Sequence, residues 1–197
     1  MELSEIKVLT QRNQEKAKDI LTNSNIIGIL ENAGLRVNII GSLRMGLLVN
    51  HKDIDLHVYS SDITIEKSFS IMSSIAAIPN IVETRCINGL GTQEKCVEWH
   101  FYYRDNDDNM WQIDIIHIEN GSQYDGYFEK MADRIIELIS PQQKDTILKL
   151  KYLSNIEGDI HGSEIYEAVM SEGIADFKEL KDWVKSRRKK EPYFWMP

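Results

Sequence analysis

Five stretches of the chain have the pattern of β-strands, and apolar and polar residues alternate most clearly at 53–59 and 96–104. This pattern predicts β-strands at residues 35–40, 53–59, 81–87, 96–104 and 110–118. In the second stretch Asp53, Asp55 and His57 share one face, because successive side chains of a strand point to opposite sides. The apolar residues between them share the other face. This strand is therefore expected to bury one side and to present carboxylates on the other.

Apolar residues at helical spacing predict helices before, between and after these strands. They are expected at residues 4–33 with a break at Asn23-Ser24, and at 64–77, 124–139, 142–155, 163–171 and 175–188. A short helix is also expected to begin at Gly41. The sequence therefore predicts an α/β fold of the α+β type, with N-terminal helices, a mixed sheet and a C-terminal helical part. We expect a main unit over residues 1–121 and a helical region over residues 122–197 packed on it.

Composition is typical of a soluble domain with a substantial core. The chain has 197 residues, of which 42% are hydrophobic. No apolar run approaches the ~20 residues needed to span a bilayer, and the acidic N-terminus lacks a signal-peptide pattern, so a cytoplasmic location is expected. Cys86 and Cys96 are expected to remain reduced. The formal net charge of −8 argues against a broad nucleic-acid surface but does not exclude a nucleotide bound with Mg²⁺.

A small-residue turn followed by paired carboxylates is the chemically most informative pattern. Gly41-Ser42 ends an apolar strand, and Asp53 and Asp55 follow after ten intervening residues. Two carboxylates one residue apart on a strand lie roughly 6.5–7 Å apart along the backbone, close enough to bind the same hard cations. Asp114 interrupts the otherwise apolar strand 110–118. A buried carboxylate needs a partner, and a metal shared with Asp53 and Asp55 would supply one.

These residues resemble the signature of the DNA polymerase β-like nucleotidyltransferase superfamily. The matching stretch is Ile39-Ile40-Gly41-Ser42, ten residues, then Asp53-Ile54-Asp55-Leu56, with Asp114 in the position of the third carboxylate. The resemblance covers roughly residues 35–118 and implies a mixed-sheet nucleotidyltransferase fold. It also implies a Mg²⁺-dependent enzyme that moves a nucleoside monophosphate from an NTP to an acceptor hydroxyl and releases pyrophosphate.

The resemblance assigns roles to individual residues. Asp53, Asp55 and Asp114 are the expected catalytic residues and metal ligands, with two Mg²⁺ ions that Mn²⁺ is able to replace. Gly41 and Ser42 are expected to contact the β and γ phosphates. Arg44 and Lys52 are candidates for neutralising the leaving pyrophosphate; Lys52 stands where many members have Ser or Thr. Because the chain is acidic and has no recognisable RNA-binding module, a small-molecule or protein acceptor is favoured over a long nucleic acid.

The histidines and one glutamate near this pattern have simpler interpretations. His57 shares a strand face with the two aspartates, but a satisfied or exposed histidine is the commoner case. Glu98 and His100 are expected to border the site if their strand pairs with the one that carries Asp114. His117 lies on the apolar face of its own strand, which favours packing in the core.

Two other classes of function remain open at this stage. A nucleotide-binding regulatory or interaction protein with the same fold would hold an NTP without turnover. A structural protein or the partner of another chain would need no convergence of the carboxylates, and its Asp114 would lie in solvent far from Asp53.

Overall fold

The structure, a computed structural model, describes residues 1–157, 160–189 and 195–197. Its strands are β1 (Arg36–Ile39), β2 (Asp53–Ser60), β3 (Ile81–Asn88), β4 (Cys96–Arg104) and β5 (Met110–Glu119). Its helices are α1 (Leu3–Ser24), α2 (Ile26–Asn32), α3 (Gly41–Met45), α4 (Ile65–Ala76), α5 (Tyr127–Leu138), α6 (Pro141–Glu157), α7 (Gly162–Glu172) and α8 (Phe177–Arg187). The five predicted strands are confirmed, with small shifts of their ends.

The five strands form one sheet in the order β1-β2-β5-β4-β3. The central pair, β2 and β5, is parallel, whereas the other three pairs are antiparallel. A parallel pair needs a long crossover connection, and here α4, β3 and β4 all lie between the two central strands in sequence. The predicted mixed sheet is therefore confirmed, and its two most acidic strands are neighbours at its centre.

One face of the sheet forms the main core, together with α1, α2 and α4. Ile54 and Leu56 of β2 and Ile113 and Ile115 of β5 are fully buried on this face. Burying a side chain of this size contributes about 1.5–3 kcal/mol. The large rings of this core also come from the alternating apolar positions of β4 and β5 and are Trp99, Phe101, Tyr103 and Trp111. The strict alternation in the sequence thus leaves the opposite face of these strands free for polar side chains.

A second apolar cluster joins the two ends of the chain. Ile6 of α1 and Leu47, which follows α3, pack with side chains from α5 to α8, including Ile147 and Leu180. The C-terminal helices therefore share a core with residues from the N-terminal part of the chain. The division into residues 1–121 and 122–197 stays a prediction.

Local sequence signals set several helix ends. The Thr64 side chain accepts a hydrogen bond from the backbone of Lys67 and so caps α4. Asp176 caps α8 by accepting from two backbone N–H groups. Asn25 adopts a left-handed conformation with φ of 53° and separates α1 from α2, one residue beyond the predicted break. No helix among the described residues is both long and apolar enough to cross a bilayer.

Candidate active site

The turn after β1 brings the backbone directly over a carboxylate of β2. Gly41 begins α3 with φ of +62°, a left-handed conformation that residues with side chains rarely adopt. A Cβ atom at this position would collide with the Oδ2 atom of Asp55. The backbone N–H of Ile40 also donates to the Asp55 carbonyl, at 3.0 Å. Glycine is required here because the chain must pass within contact distance of the Asp55 side chain.

Pairing of β2 with β5 places the three predicted carboxylates on the same face of the sheet. Asp55 lies opposite Asp114 in the parallel ladder, and Asp53 lies opposite Gln112. Since side chains alternate along each strand, residues in register with one another share a face. All three carboxylates line a cavity of about 600 Å³, and Ser42 lines it as well. Residues far apart in the chain therefore converge as the motif predicts.

The carboxylates repel one another, and the surrounding residues compensate them unequally. Burial, followed by the negative charges of Asp53 and Asp114, raises the pKa of Asp55 to about 7. Burial also acts to raise the pKa of Asp53, but a hydrogen bond and positive charge from His51 outweigh it and lower that pKa. His51 Nδ1 lies 3.0 Å from Asp53 Oδ2, and this contact raises the pKa of His51. Two carboxylates on one strand thus bind their protons with different affinities.

One oxygen of this cluster is available for a cation. The Oδ1 atom of Asp53 is buried and accepts no hydrogen bond from any residue that the structure describes. A buried acceptor without a partner is costly. Neighbouring carboxylates with free oxygens are the hard ligands that Mg²⁺ prefers. The donor set therefore fits a Mg²⁺ ion held by Asp53 and Asp55.

The third carboxylate is held by two side chains, His100 and Gln112, of which the sequence analysis had considered only His100. His100 Nδ1 lies 2.7 Å from Asp114 Oδ1, and the Gln112 amide donates to the two oxygens of Asp114 at 2.9 and 3.1 Å. On the other ring nitrogen of His100, Nε2 lies 3.9 Å from Glu98 Oε2. The pairing of β4 with β5 on which the expectation for His100 and Glu98 depended is present. His100 contacts Asp114, whereas Glu98 lines a separate cavity. These contacts fix the direction in which the Asp114 carboxylate points.

A buried lysine that the sequence analysis missed completes the cavity. Lys151 of α6 is 7% exposed, and its ammonium group donates to Ser42 Oγ at 2.5 Å and to the Tyr166 hydroxyl at 3.0 Å. Its positive charge also acts on the pKa values of Asp53 and Asp55. This ammonium group therefore lies close to both the Gly41-Ser42 turn and the carboxylates. The sequence contained a signal for the burial of Lys151, because this residue lies one helical turn after Ile147, on the buried face of α6.

Two basic residues that were predicted to bind nucleotide are engaged elsewhere. Arg44 forms an ion pair with Asp133 of α5, with Nη2 2.6 Å from Oδ1, and donates to a backbone carbonyl. Lys52 donates to the Asn109 side chain at 2.5 Å. It lines a separate cavity beside α1. The structure does not bring Arg44 or Lys52 into the carboxylate cavity, which is lined instead by Lys151 and His51.

The other two histidines of the central strands lie away from the cavity and pack inside the fold. His57 is 4% exposed and meets Phe128 edge to face, with ring centroids 5.1 Å apart. His117 is fully buried between the hydroxyl groups of Ser60 and Ser68, at 2.8 and 3.1 Å. Burial lowers the pKa of each histidine to about 4. Both therefore act as neutral packing residues, as the sequence favoured.

Comparisons with known proteins identify the fold but not a close relative. No family model and no curated protein matches the chain by sequence. Among solved structures, the Cid1 poly(U) polymerase with bound MgGTP matches with a TM-score of 0.54 at 14% identity, over 73% of this chain and 43% of that one. The poly(A) polymerase complex GLD-2–GLD-3 matches with a TM-score of 0.55 at 10% identity, over 83% of this chain and 57% of that one.

A cytoplasmic RNA terminal U-transferase matches with a TM-score of 0.56 at 14% identity, over 84% of this chain and 53% of that one. The chain thus spans about half the length of the structures that it matches. Structural similarity at such low sequence identity shows the fold alone. The carboxylate geometry is observed in this chain itself. The protein therefore shares the fold of these polymerase and transferase structures, and the predicted mixed-sheet α+β fold is confirmed.

Proposed function

We propose that this protein is a Mg²⁺-dependent nucleotidyltransferase that transfers a nucleoside monophosphate from an NTP to the 3′-hydroxyl of an RNA and releases pyrophosphate. The observation that carries the proposal is the convergence of Asp53, Asp55 and Asp114 on one cavity. The Gly41-Ser42 turn and the Lys151 ammonium group line the same cavity. Carboxylates for metal and a cationic, small-residue cradle for phosphates are the parts that this reaction requires.

Each side chain has a role that follows from its position. Asp53 and Asp55 hold the metal, which when bound neutralises the triphosphate and stabilises the attacking and leaving oxygens. Ser42 and Lys151, already hydrogen-bonded to each other, turn toward the β and γ phosphates. Charge-assisted hydrogen bonds of this kind are about twice as strong as neutral ones. Two ions, with Mn²⁺ as a substitute for Mg²⁺, remain part of the proposal.

The bond changes are those of an in-line displacement. The acceptor oxygen forms a bond to the α-phosphorus while the bond from that phosphorus to the bridging oxygen of the β-phosphate breaks. The hydroxyl proton passes to the carboxylate of Asp114, which His100 and Gln112 hold toward the cavity. Pyrophosphate carries the displaced electron pair away. A base held in one direction is efficient because its geometry is set before the substrate arrives.

RNA replaces the small-molecule or protein acceptor that the sequence favoured. The three compared structures are described as a poly(U) polymerase, a poly(A) polymerase and an RNA terminal U-transferase, which supports RNA as the acceptor class here. The net charge of −8 is a property of the whole surface. It does not prevent a few terminal nucleotides from reaching one local site, because screening confines charge effects to about 10 Å at ordinary salt.

The test measures pyrophosphate release and primer extension with each of the four NTPs, Mg²⁺ and a short oligoadenylate. Lys151→Met keeps the packing of the aliphatic stem and removes the charge. We expect it to raise the KM for NTP about 10- to 100-fold, the equivalent of one lost hydrogen bond to a charged group. Arg44→Met, in which a surface ion pair is lost, is expected to change that KM by about two-fold or less.

Two results would contradict the proposal. If the protein binds NTP but releases no pyrophosphate with every RNA that is tested, it is a nucleotide-binding protein without turnover. A larger effect of Arg44→Met than of Lys151→Met would place the phosphates on the other side of α3, as the sequence prediction for Arg44 implies.

A further inference from the structure

The sheet face that carries the carboxylates continues onto β4 and β3, with an irregularity in the β3–β4 pairing between Ile81 and Glu83. His100 lies opposite Asp114, and Arg85 lies opposite His100. In the next row Tyr102 lies opposite Gln112, and Glu83 lies opposite Tyr102. We call the part formed by Glu83, Arg85, Glu98, His100 and Tyr102 the β3–β4 face. It begins one strand away from Asp114, a distance of ~4.8 Å between neighbouring strands.

The β3–β4 face is open, whereas the opposite face of the same strands is packed. Cys86, Trp99 and Phe101 of these two strands belong to the main core. On the open face, His100 is 20% exposed and Arg85 is 62% exposed at the side chain, and Tyr102 is half-buried. A sheet that buries one side against helices leaves the other side for solvent or for a partner.

An aromatic ring and a guanidinium group meet at the centre of this face. The Arg85 guanidinium lies over the Tyr102 ring, 5.0 Å from its centroid. Glu83 also contacts that guanidinium, which donates from Nε to Oε1 at 2.7 Å. A flat stack of this kind provides π surface on which a nucleobase packs, and such stacking tolerates any base. The ion pair with Glu83 also keeps Arg85 from presenting a free positive charge.

We propose that the β3–β4 face is the acceptor subsite, and that the Tyr102–Arg85 stack holds the 3′-terminal base of a single-stranded RNA. The proposal rests on the proposed function, because Asp114 must receive the acceptor hydroxyl. A nucleotide whose 3′-hydroxyl reaches Asp114 extends its base away from the metal-binding aspartates. Tyr102 lies on that side, two residues from His100, which contacts Asp114. The two adjacent rows of side chains therefore connect the reacting oxygen with the stacking platform.

The charges of this face favour stacking over phosphate binding. Glu83 and Arg85 neutralise each other, and Glu98 adds a negative charge beside His100. A surface with so few free cations binds few phosphates, so RNA affinity is expected to depend only weakly on salt. A protein that neutralises one phosphate of a single strand shows a slope of about −0.7 in log K against log[salt]. This face suits the last one or two nucleotides of a strand rather than a long duplex.

The experiment measures the Kd of the full chain for a fluorescently labelled oligoadenylate by anisotropy, with Mg²⁺ and a non-hydrolysable NTP present. We expect Tyr102→Ala to weaken binding about 5-fold or more, as the loss of one stacked base does. Tyr102→Phe keeps the ring and is expected to bind like the wild type. Phe69→Ala is the matched control, since Phe69 is an aromatic residue 50% exposed on α4, which packs on the other side of the sheet. In turnover, Tyr102→Ala should raise the KM for RNA and leave the KM for NTP unchanged.

The possible failures are distinguishable. Unchanged RNA affinity in Tyr102→Ala, or an equal loss in Phe69→Ala, overturns the acceptor subsite whatever the enzyme does. Wild-type protein that binds no oligoadenylate, or that transfers only to small hydroxyl compounds, overturns it as well. Absence of pyrophosphate release with every NTP overturns the proposed function, while the anisotropy measurement still decides whether Tyr102 binds RNA.

Discussion

Two buried carboxylate environments in this protein have opposite character. Asp105, in the turn between β4 and β5, is 7% exposed and accepts hydrogen bonds from two backbone N–H groups and from the Asn109 amide and the Trp111 indole. Burial acts to raise its pKa, but these donors outweigh burial and lower it. The Asp55 carboxylate has no such donor among the described residues, and its pKa rises to about 7.

The difference separates a structural carboxylate from one kept for a ligand. Asp105 is satisfied by its own turn, so the charge is stabilised by folding alone. Asp53 and Asp55 lie together with a buried oxygen that has no donor. An arrangement that costs free energy in the free protein persists at functional sites because a ligand relieves it. The sequence pattern Asp-x-Asp occurs in both places, at 53–55 on a strand and at 105–107 in a turn, and the surrounding donors differ between them.

Substitutions in the two environments should affect turnover very differently, and this is the largest expected effect. Asp53→Ala removes a metal ligand and is expected to lower kcat/KM by at least about 10³-fold, the equivalent of the several kcal/mol that a bound metal supplies. Asp105→Asn should leave kcat/KM close to that of the wild type. Pyrophosphate release under saturating Mg²⁺ measures both. Equal losses in the two variants would show that the carboxylates matter only for folding.

In the absence of metal, replacing Asp55 should stabilise the folded protein, whereas replacing Asp105 should destabilise it. The folded-state pKa of Asp55 lies above its unfolded value of 3.8. Its ionised form therefore destabilises the folded protein, increasingly so as pH rises from about 4 to about 7. Asp55→Asn is expected to raise the free energy of unfolding at pH 8 by on the order of 3 kcal/mol in the presence of a chelator.

Asp105→Asn is the matched control for this measurement. Because it leaves buried donors unpaired, it should lower the free energy of unfolding by about 1–3 kcal/mol. Urea denaturation of both variants and the wild type measures the two changes in the free energy of unfolding. A metal-free Asp55→Asn variant that is less stable than the wild type would mean that burial and the neighbouring carboxylates do not penalise the ionised form of Asp55.

A buried histidine on the apolar side of the sheet sharpens the comparison at acidic pH, with the smallest expected effect. His117 has a folded-state pKa of about 4, below its ordinary value of 6.5. The neutral His117 side chain therefore contributes to the free energy of unfolding above pH 6.5, and this contribution is lost as pH falls toward 4. His117→Gln removes the titration, and the wild type should lose about 2–3 kcal/mol more than this variant between pH 6.5 and 4. Parallel urea midpoints across that range would contradict the burial of a neutral imidazole.

Much of the fold and the three carboxylates could be predicted because they are recorded in local patterns. Alternation along 53–59 and 110–118 determines which side chains share a face of each strand. The spacing from Gly41-Ser42 to Asp53 and Asp55 allows one tight connection between a strand and its neighbour. Regular periodicity and turn chemistry act over a few residues, so a sequence expresses them directly.

Tertiary structure alone decided which positive charge serves the cavity and what holds the third carboxylate. Arg44 and Lys52 are near the motif in sequence, but ion pairing and hydrogen bonding with Asp133 and Asn109 direct them elsewhere. Lys151 reaches Ser42 from 109 residues away. Strand order, not sequence proximity, sets His100 against Asp114. Contacts between distant segments depend on how the helices and strands pack as whole bodies, and no short stretch of sequence contains that information.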